Sequence, residues 1–460
     1  MAQAITFHGA AQTVTGSKHL IEIDGKQILI DCGLFQGSRD LRDRNWLPFG
    51  FNPREIDAAV ITHAHIDHIG LLPKLVHEGY QGPLYATPGT IGLARISLPD
   101  SGRLQEEEAR FHNKKGTSRH QPALPLYTEA DAFVALKQFQ PVRYGQLQSL
   151  PSGCSFRFSP AGHILGSAFA EVFFPNGERI LMGGDLGRFN TPIITDPTTM
   201  EHAEYLVVES TYGDRLHAQE NAKEKLRGLI NDAIESGLTL IVPSFSIGRT
   251  QELLYYINEL QREKAIGFIP IYVDSPMGVS ATALYDRTIE DHDIDMKIRL
   301  DEGDDPLDPK GLTLVRDVSQ SKAINSMTGP MMIIAGSGMA NGGRVIHHLK
   351  YRLSRRDTVV LFTGYQAEGT MGRRLLEGAE EVHIHGQEIA VNARIEKLNS
   401  LSAHADQGEI MRWLAGFKEP PRQTFIVHGE PRAQEALAAK IREELGWKVA
   451  IPAQGERFEL

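Results

Sequence analysis

Six consecutive residues carry four side chains able to hold a metal ion: His63, His65, Asp67 and His68 in the run His63-Ala64-His65-Ile66-Asp67-His68. Neutral imidazole and carboxylate are zinc donors, and two-metal hydrolases commonly share or divide such donors between ions. Val60 and Ile61 just before them are apolar and β-branched, which predicts the end of a buried strand. Ile69 to Val76 has helical spacing. The donors therefore belong to a strand-to-helix loop. Side chains alternate along extended chain, so His63 and His65 point the same way. Asp67 and His68 open the helix and approach from a second direction. Chance histidines in a polar loop are the plain alternative. The density of donors, and their place just past a strand where α/β active sites gather, argue against it.

The same signature recurs along the chain. His163 lies in the loop Ser159–Gly166 between two predicted strands, with Gly162 and Gly166 permitting close backbone approach. Asp185 follows the strand pattern of Glu178 to Met182 and two glycines, and His428 follows the apolar run Thr424 to Val427. Three histidines and a bridging aspartate would satisfy two metals about 3.5–4 Å apart. His428 reads as a further ligand rather than a core histidine. Asp31, at the end of another apolar run, has two readings that local sequence leaves open. It caps the turn before Gly33, or it holds a ligating histidine in one tautomer. Glu209 ends the run Tyr205 to Glu209, and His404 stands in Ser402-Ala403-His404. His112 and His120 sit in a charged, polar stretch and stay outside the donor set.

At 460 residues the chain is too long for one ordinary core, and two domains are expected. Its 41% hydrophobic and 23% charged residues are ordinary for a globular protein. No apolar run reaches membrane-spanning length, and the N-terminus lacks a basic segment followed by an apolar core. No membrane association is expected. Two cysteines, Cys32 and Cys154, form no framework, which fits a reducing cytoplasm. The net charge of −10 argues against a histone-like nucleic-acid binder but does not exclude a nuclease, because bound cations invert the local field.

The elements that must position these donors follow from pattern. Residues 4–35 read as short strands with an Asp24-Gly25 hairpin turn. Residues 36–58 are a polar, arginine-rich loop expected on the site's rim. Residues 90–127 are helical and charged, an expected insertion over the site. From 210 to 395 strands alternate with helices, which predicts a doubly wound parallel sheet, with 292–310 as an acidic surface loop. Two glycine-rich turns in this stretch suit an anion: Gly336-Ser337-Gly338 after a strand, and Gly364-Tyr365-Gln366 leading to Arg373 and Arg374. Either turn is equally well a plain strand-to-helix connection.

Taken together, the set resembles the β-CASP nuclease branch of the metallo-β-lactamase superfamily. Asp31, the His63–His68 run, His163 and Asp185 match the superfamily's motifs in order. Glu209, Ser402–His404 and His428 match the three motifs particular to β-CASP proteins. The resemblance spans nearly the whole chain. It implies an α/β, four-layer αββα domain from 1–208 and 396–460, with a doubly wound parallel-sheet domain inserted at 209–395. It implies two Zn2+ ions, manganese being the alternative: one on His63, His65 and His163, the other on Asp67, His68 and His428, with Asp185 bridging and Asp31 behind the ligands. It implies a ribonuclease in RNA processing or decay, cutting phosphodiester bonds with zinc-activated water, as an endonuclease, with 5′-to-3′ exonuclease action left open. RNA-acting members carry histidine at the position of His428, so single-stranded RNA is the expected partner. Asp67, His404 and Glu209 are the expected catalytic residues. Ser337, Gly338, Arg373 and Ser402 are the expected phosphate contacts, with RNA in a cleft between the domains. The chain looks like the compact bacterial form, similar to the cleavage nuclease of the pre-mRNA 3′-end machinery, and leaves a homodimer open. Three other readings compete: a lactam or thioester hydrolase on the same metal core, a DNA nuclease, and a non-catalytic RNA-binding scaffold. The full donor set speaks against the last.

Overall fold

The structure, a computed structural model, describes residues 3–118, 121–218, 220–364, 366, 369–398 and 400–460. The excluded His120 and Tyr365 of the second glycine-rich turn lie outside the described residues. The chain divides into two compact units: Met1–Leu216 with His404–Leu460, and His217–Ala403.

The first unit is built on two seven-stranded sheets. In one, Gln3–Phe7, His19–Ile23 and Lys26–Ile30 run antiparallel, then Ala58–Val60, Leu84–Ala86 and Phe139–Pro141 continue in parallel. The Lys26–Ile30 and His19–Ile23 strands are joined at Asp24 and Gly25, both at positive φ, as a two-residue hairpin requires. In the other, the meander Leu147–Ser149, Ser155–Pro160, Ala168–Phe173 and Arg179–Met182 is followed by parallel Tyr205–Val208 and Gln423–Ile426. The two sheets face one another: Ile5, Ile21, Ile28 and Val60 of the first share a core with Phe156, Val172, Met182, Val207 and Phe425 of the second. Alternation puts Phe169, Leu181, Leu206 and Ile426 on the opposite face, where they pack against Trp413, Leu414, Leu437 and Ile441 of the helices Gln407–Leu414 and Pro431–Leu445. Each such fully buried aliphatic side chain contributes about 1.5–3 kcal/mol. With the helices Leu72–His77, Pro88–Lys115 and Glu129–Leu136, this is the four-layer αββα arrangement.

The second unit holds a six-stranded sheet whose neighbours are all parallel, with Thr239–Ser244, Met331–Gly336 and Thr358–Phe362 in its middle. Parallel pairing demands crossover connections, and helices cover both faces. Leu240, Val242 and Ile334 pack on Ile230, Leu253 and Ile257; Ile241, Ile333 and Val360 pack on Val345, Leu349 and Leu375.

The compact units divide at 216/217 and 403/404, where 208/209 and 395/396 were expected. The strand Arg394–Lys397 pairs with Thr358–Phe362 as the edge of the six-stranded sheet. Two expectations need correction. The acidic stretch 292–310 is not all loop: Ile294–Asp301 is a helix capped by Asp293, whose carboxylate accepts from the Met296 N–H (2.7 Å). It docks through buried Met296 and through Arg299, which bonds Asn258 and Asp304. The rim segment likewise contains a short helix, Arg39–Asp43.

A candidate two-metal centre in the first unit

Every expected metal donor stands just past a strand of the first unit. After Ala58–Val60 the chain runs extended through His63 to His65, and one helical turn, Ile66–Ile69, then carries Asp67 and His68. His163 is held in its loop by Ser167, whose hydroxyl accepts from its N–H (2.9 Å). Asp185 follows Gly184, where φ is +54° and a Cβ would lie 2.8 Å from Thr62. Glycine is required there, and it lets the strand end approach the donor loop. His428, at φ +51°, is fixed by its N–H donating to the Ala10 carbonyl (2.7 Å).

The donor atoms converge in two groups. His63 Nε2 and His65 Nδ1 are 3.2 Å apart, His163 Nε2 and His65 Nδ1 3.1 Å apart, and Asp185 Oδ2 lies 3.4 Å from His63 and 3.5 Å from His163. On the other side His68 Nε2 and His428 Nε2 are 3.3 Å apart, His428 lies 3.2 Å from Asp67 Oδ2, and His68 lies 3.2 Å from Asp185 Oδ1. Ligands on one tetrahedral zinc, at bonds near 2.05 Å, stand about 3.3 Å apart. The two Asp185 oxygens face one group each. Both are buried and, among the described residues, have no hydrogen-bond partner of good geometry. A carboxylate left so in an interior costs several kcal/mol unless a cation or donor meets it. The residues therefore fit metal ions.

The electrostatics agree with that use. Burial pushes His63 down to about 3 and His65 to about 4, and holds His163 well below its ordinary value, so their lone pairs are free for a cation. For His68 and His428 burial, the largest single influence, favours the neutral ring, but carboxylates together overcome it and both are raised: Asp185 with Asp31 at His68, Asp185 with Asp67 at His428. Burial would raise Asp185 and Asp67; the surrounding imidazoles overcome it and hold both carboxyls below their usual range.

Asp31 stands behind His68. Its Oδ2 lies 2.8 Å from His68 Nδ1, while the Thr62 N–H and hydroxyl donate to its two oxygens, both at 2.8 Å. This leaves His68 Nε2 as the donor atom. His404 does not sit among the donor groups but at their edge. Its Nδ1 is 3.0 and 3.1 Å from the Glu209 oxygens and 3.8 Å from Asp185. Burial alone would lower it; Glu209, with help from Asp185 and Asp67, carries it up to about 9. Glu209 is itself fixed by the N–H groups of Leu186 (2.8 Å) and Thr211 (3.2 Å).

Three residues outside the expected set take part. Thr62 orients Asp31, Thr211 places its hydroxyl 3.1 Å from His428 Nδ1, and Ser167 fixes His163. Thr211 stands two residues past Glu209, a spacing that could have flagged it. The expected phosphate contacts Ser337, Gly338, Arg373 and Ser402 all belong to the second unit. Ser337 is at φ +89°, and its hydroxyl accepts from the Asn341 N–H (3.3 Å). The two glycine-rich turns bond each other, Gln366 Nε2 donating to Gly338 (3.0 Å) and the Met371 N–H to Asn341 (2.9 Å). Arg373 Nε donates to Glu377 (2.6 Å), one turn along its own helix.

Two facing sheets with donors gathered at their strand ends define a metallo-hydrolase of the metallo-β-lactamase fold. Residues 15–86 match the metallo-beta-lactamase superfamily, 250–375 the Beta-Casp domain, and 388–452 the Zn-dependent metallo-hydrolase RNA specificity domain. The chain is 37% identical to Ribonuclease TTHA0252 of Thermus thermophilus over 97% of this chain and 98% of that one. It is 29% identical to Transcription termination factor FttA of Methanocaldococcus jannaschii, over 97% of this chain and 70% of that protein. It is 28% identical to an RNase J-like protein of the same organism, over 98% of each. A crystallised protein of unknown function from Enterococcus faecalis V583 shares the fold across the full length of both chains, with a TM-score of 0.58 at 14% identity. The chain belongs to the β-CASP family of the metallo-β-lactamase superfamily, and the matched domain together with the His/Asp cluster supports zinc as its metal. Among the described residues no helix is long and apolar enough to cross a membrane.

Proposed function

We propose that this chain is a zinc-dependent ribonuclease that hydrolyses phosphodiester bonds of single-stranded RNA, acting in RNA processing or decay in the cytoplasm. The observation that carries the reading is Asp185: a buried carboxylate, without a hydrogen-bond partner among the described residues, whose two oxygens each face a separate group of imidazoles. The reading assigns two ions, zinc with manganese as the alternative. His63, His65 and His163 would hold one; Asp67, His68 and His428 would hold the other; Asp185 would serve both. Bound there, they would supply Lewis-acid polarisation of a phosphoryl oxygen and a water nucleophile near neutral pH. Asp67 orients the attacking water. His404, protonated and braced by Glu209, gives its proton to the leaving 3′ oxygen, which leaves 5′-phosphate and 3′-hydroxyl ends. Asp31 and Thr62 keep His68 in the tautomer that ligates. Ser337, Gly338 and Ser402 are the candidate phosphate contacts of the second unit; Arg373 joins them only by leaving Glu377.

End-labelled RNA incubated with the zinc-loaded protein should give a ladder of 5′-phosphorylated products, from internal cuts and from 5′-to-3′ trimming. The ladder should vanish with chelator and be absent for DNA of the same sequence. An intact RNA, or a ladder that survives chelation, sinks the reading. Turnover of a thioester without RNA cleavage would favour the small-molecule hydrolase instead. Light scattering checks for a homodimer, which this reading accommodates.

A further inference from the structure

Away from the donor groups, the rim segment presents a large aromatic side chain to water from an unusually fixed backbone. Asn45 is buried. Its Oδ1 accepts from the Phe35 N–H and its Nδ2 donates to the Phe35 carbonyl, both at 2.8 Å. Buried Lys74 donates to the carbonyls of Asn45 (2.8 Å) and Leu47 (2.9 Å), one on each side of Trp46. Yet Trp46 is 57% and Leu47 59% exposed. Packing inside this chain gives no reason for an indole held out in this way, and a fixed backbone lowers the entropy lost when a ligand docks on it.

The surroundings state what kind of ligand fits. Beside Trp46 lies a cavity of about 340 Å³ walled by Leu47, Pro48, Lys74 and His77. A second, of about 160 Å³, shares Leu47, Pro48 and Lys74 with it and adds Phe35, Phe49 and Arg44. Exposed Arg44 lies over the Phe35 ring, 5.6 Å from its centre, and has no carboxylate partner among the described residues. The acid on the first cavity's wall, Glu78, is offset by Lys74 at 3.6 Å. An exposed aromatic plane and, two residues away on the adjoining cavity, a guanidinium without a carboxylate partner among the described residues suit single-stranded nucleic acid, the one stacking a base and the other meeting a phosphate. In a chain of net charge −10 such a place is local, not a general basic surface. The segment also backs onto the metal loop: Phe35 is two residues from Gly33, where a Cβ would lie 1.5 Å from the Asp67 carbonyl oxygen.

We propose that Trp46, with Arg44 and the two adjoining cavities, is an accessory binding platform for the RNA strand outside the cleavage site, stacking one base on the indole. It rests on the ribonuclease reading for its ligand. The test uses the zinc-loaded protein and a 2′-O-methylated oligouridine of about a dozen nucleotides, within the usual site sizes of single-strand binders. The other two of the three tryptophans, Trp413 and Trp447, are 2% and 7% exposed, so quenching of the emission reports Trp46. The oligonucleotide should quench saturably. Trp46→Ala should remove the quench, weaken binding about tenfold, and raise KM on long RNA without changing kcat or zinc content. Trp46→Phe should restore binding, and Arg44→Ala should lower the log–log salt slope by about one. Unchanged affinity in Trp46→Ala overturns the platform, and so does a Trp46→Ala variant whose only change is in oligomeric state. If wild-type protein cleaves RNA while Trp46→Ala binds normally, the platform alone fails. If wild-type neither cleaves nor binds, the ribonuclease reading fails with it.

Discussion

Both units place functional-looking groups at the carboxyl ends of strands, but they treat those groups in opposite ways. In the first unit the chain holds its donors from behind and leaves their front atoms to each other: Asp31 braces His68, Glu209 braces His404, and among the described residues the Asp185 carboxylate meets only imidazoles. In the second unit the chain satisfies its own candidates. Gln366 bonds Gly338, Asn341 bonds both Ser337 and Met371, and Glu377 takes Arg373. A buried group with its partner missing points to a ligand; a group already paired does not. This difference is why the metal centre carries the functional reading and the glycine-rich turns do not.

The sharpest way to break that comparison is to remove a braced donor. His428→Ala or Asp67→Ala should abolish RNA cleavage and lower zinc content, read by turnover and metal analysis. Full activity in either variant would erase the distinction between the units. His404→Ala should keep its zinc and slow cleavage by about 10²–10⁴-fold, the usual worth of a positioned proton donor. Loss of zinc there would make it a ligand. Thr62→Val, which removes a hydroxyl from Asp31, should lower zinc affinity or activity by about 10–100-fold, measured by competition with a chelating dye. The smallest effect is expected in the second unit. Arg373→Ala breaks an exposed pair worth about 0–1 kcal/mol, so RNA affinity and melting temperature should barely move. A large fall in affinity would restore Arg373 as a phosphate contact.

The sequence carried the donors because chemistry repeated itself: His63, His163, Asp185 and His428 each follow an apolar strand, and strands deliver their ends to one place. It could not show the braces as clearly. Asp31 had two equal readings until the Thr62 hydroxyl and N–H were seen on its carboxylate, and Thr211 gives no signal beyond lying near Glu209. The pairing of Arg373 was legible, since Glu377 stands four residues on, at the C-terminal cap of the helix Met371–Leu376. The unit boundary shifted because Arg394–Lys397 is a polar edge strand, and edge strands lack the apolar run that marks central ones. The helix Ile294–Asp301 was hidden by acidic residues that lie on its exposed side and at its cap.

The central claim is that Asp185 joins two ions. Zinc bound per chain, measured on the wild-type protein and on Asp185→Ala after saturation and dialysis, tests it most directly. The account predicts two equivalents in the wild type and at most one, with cleavage lost, in the variant. Two tightly held equivalents in Asp185→Ala would contradict it.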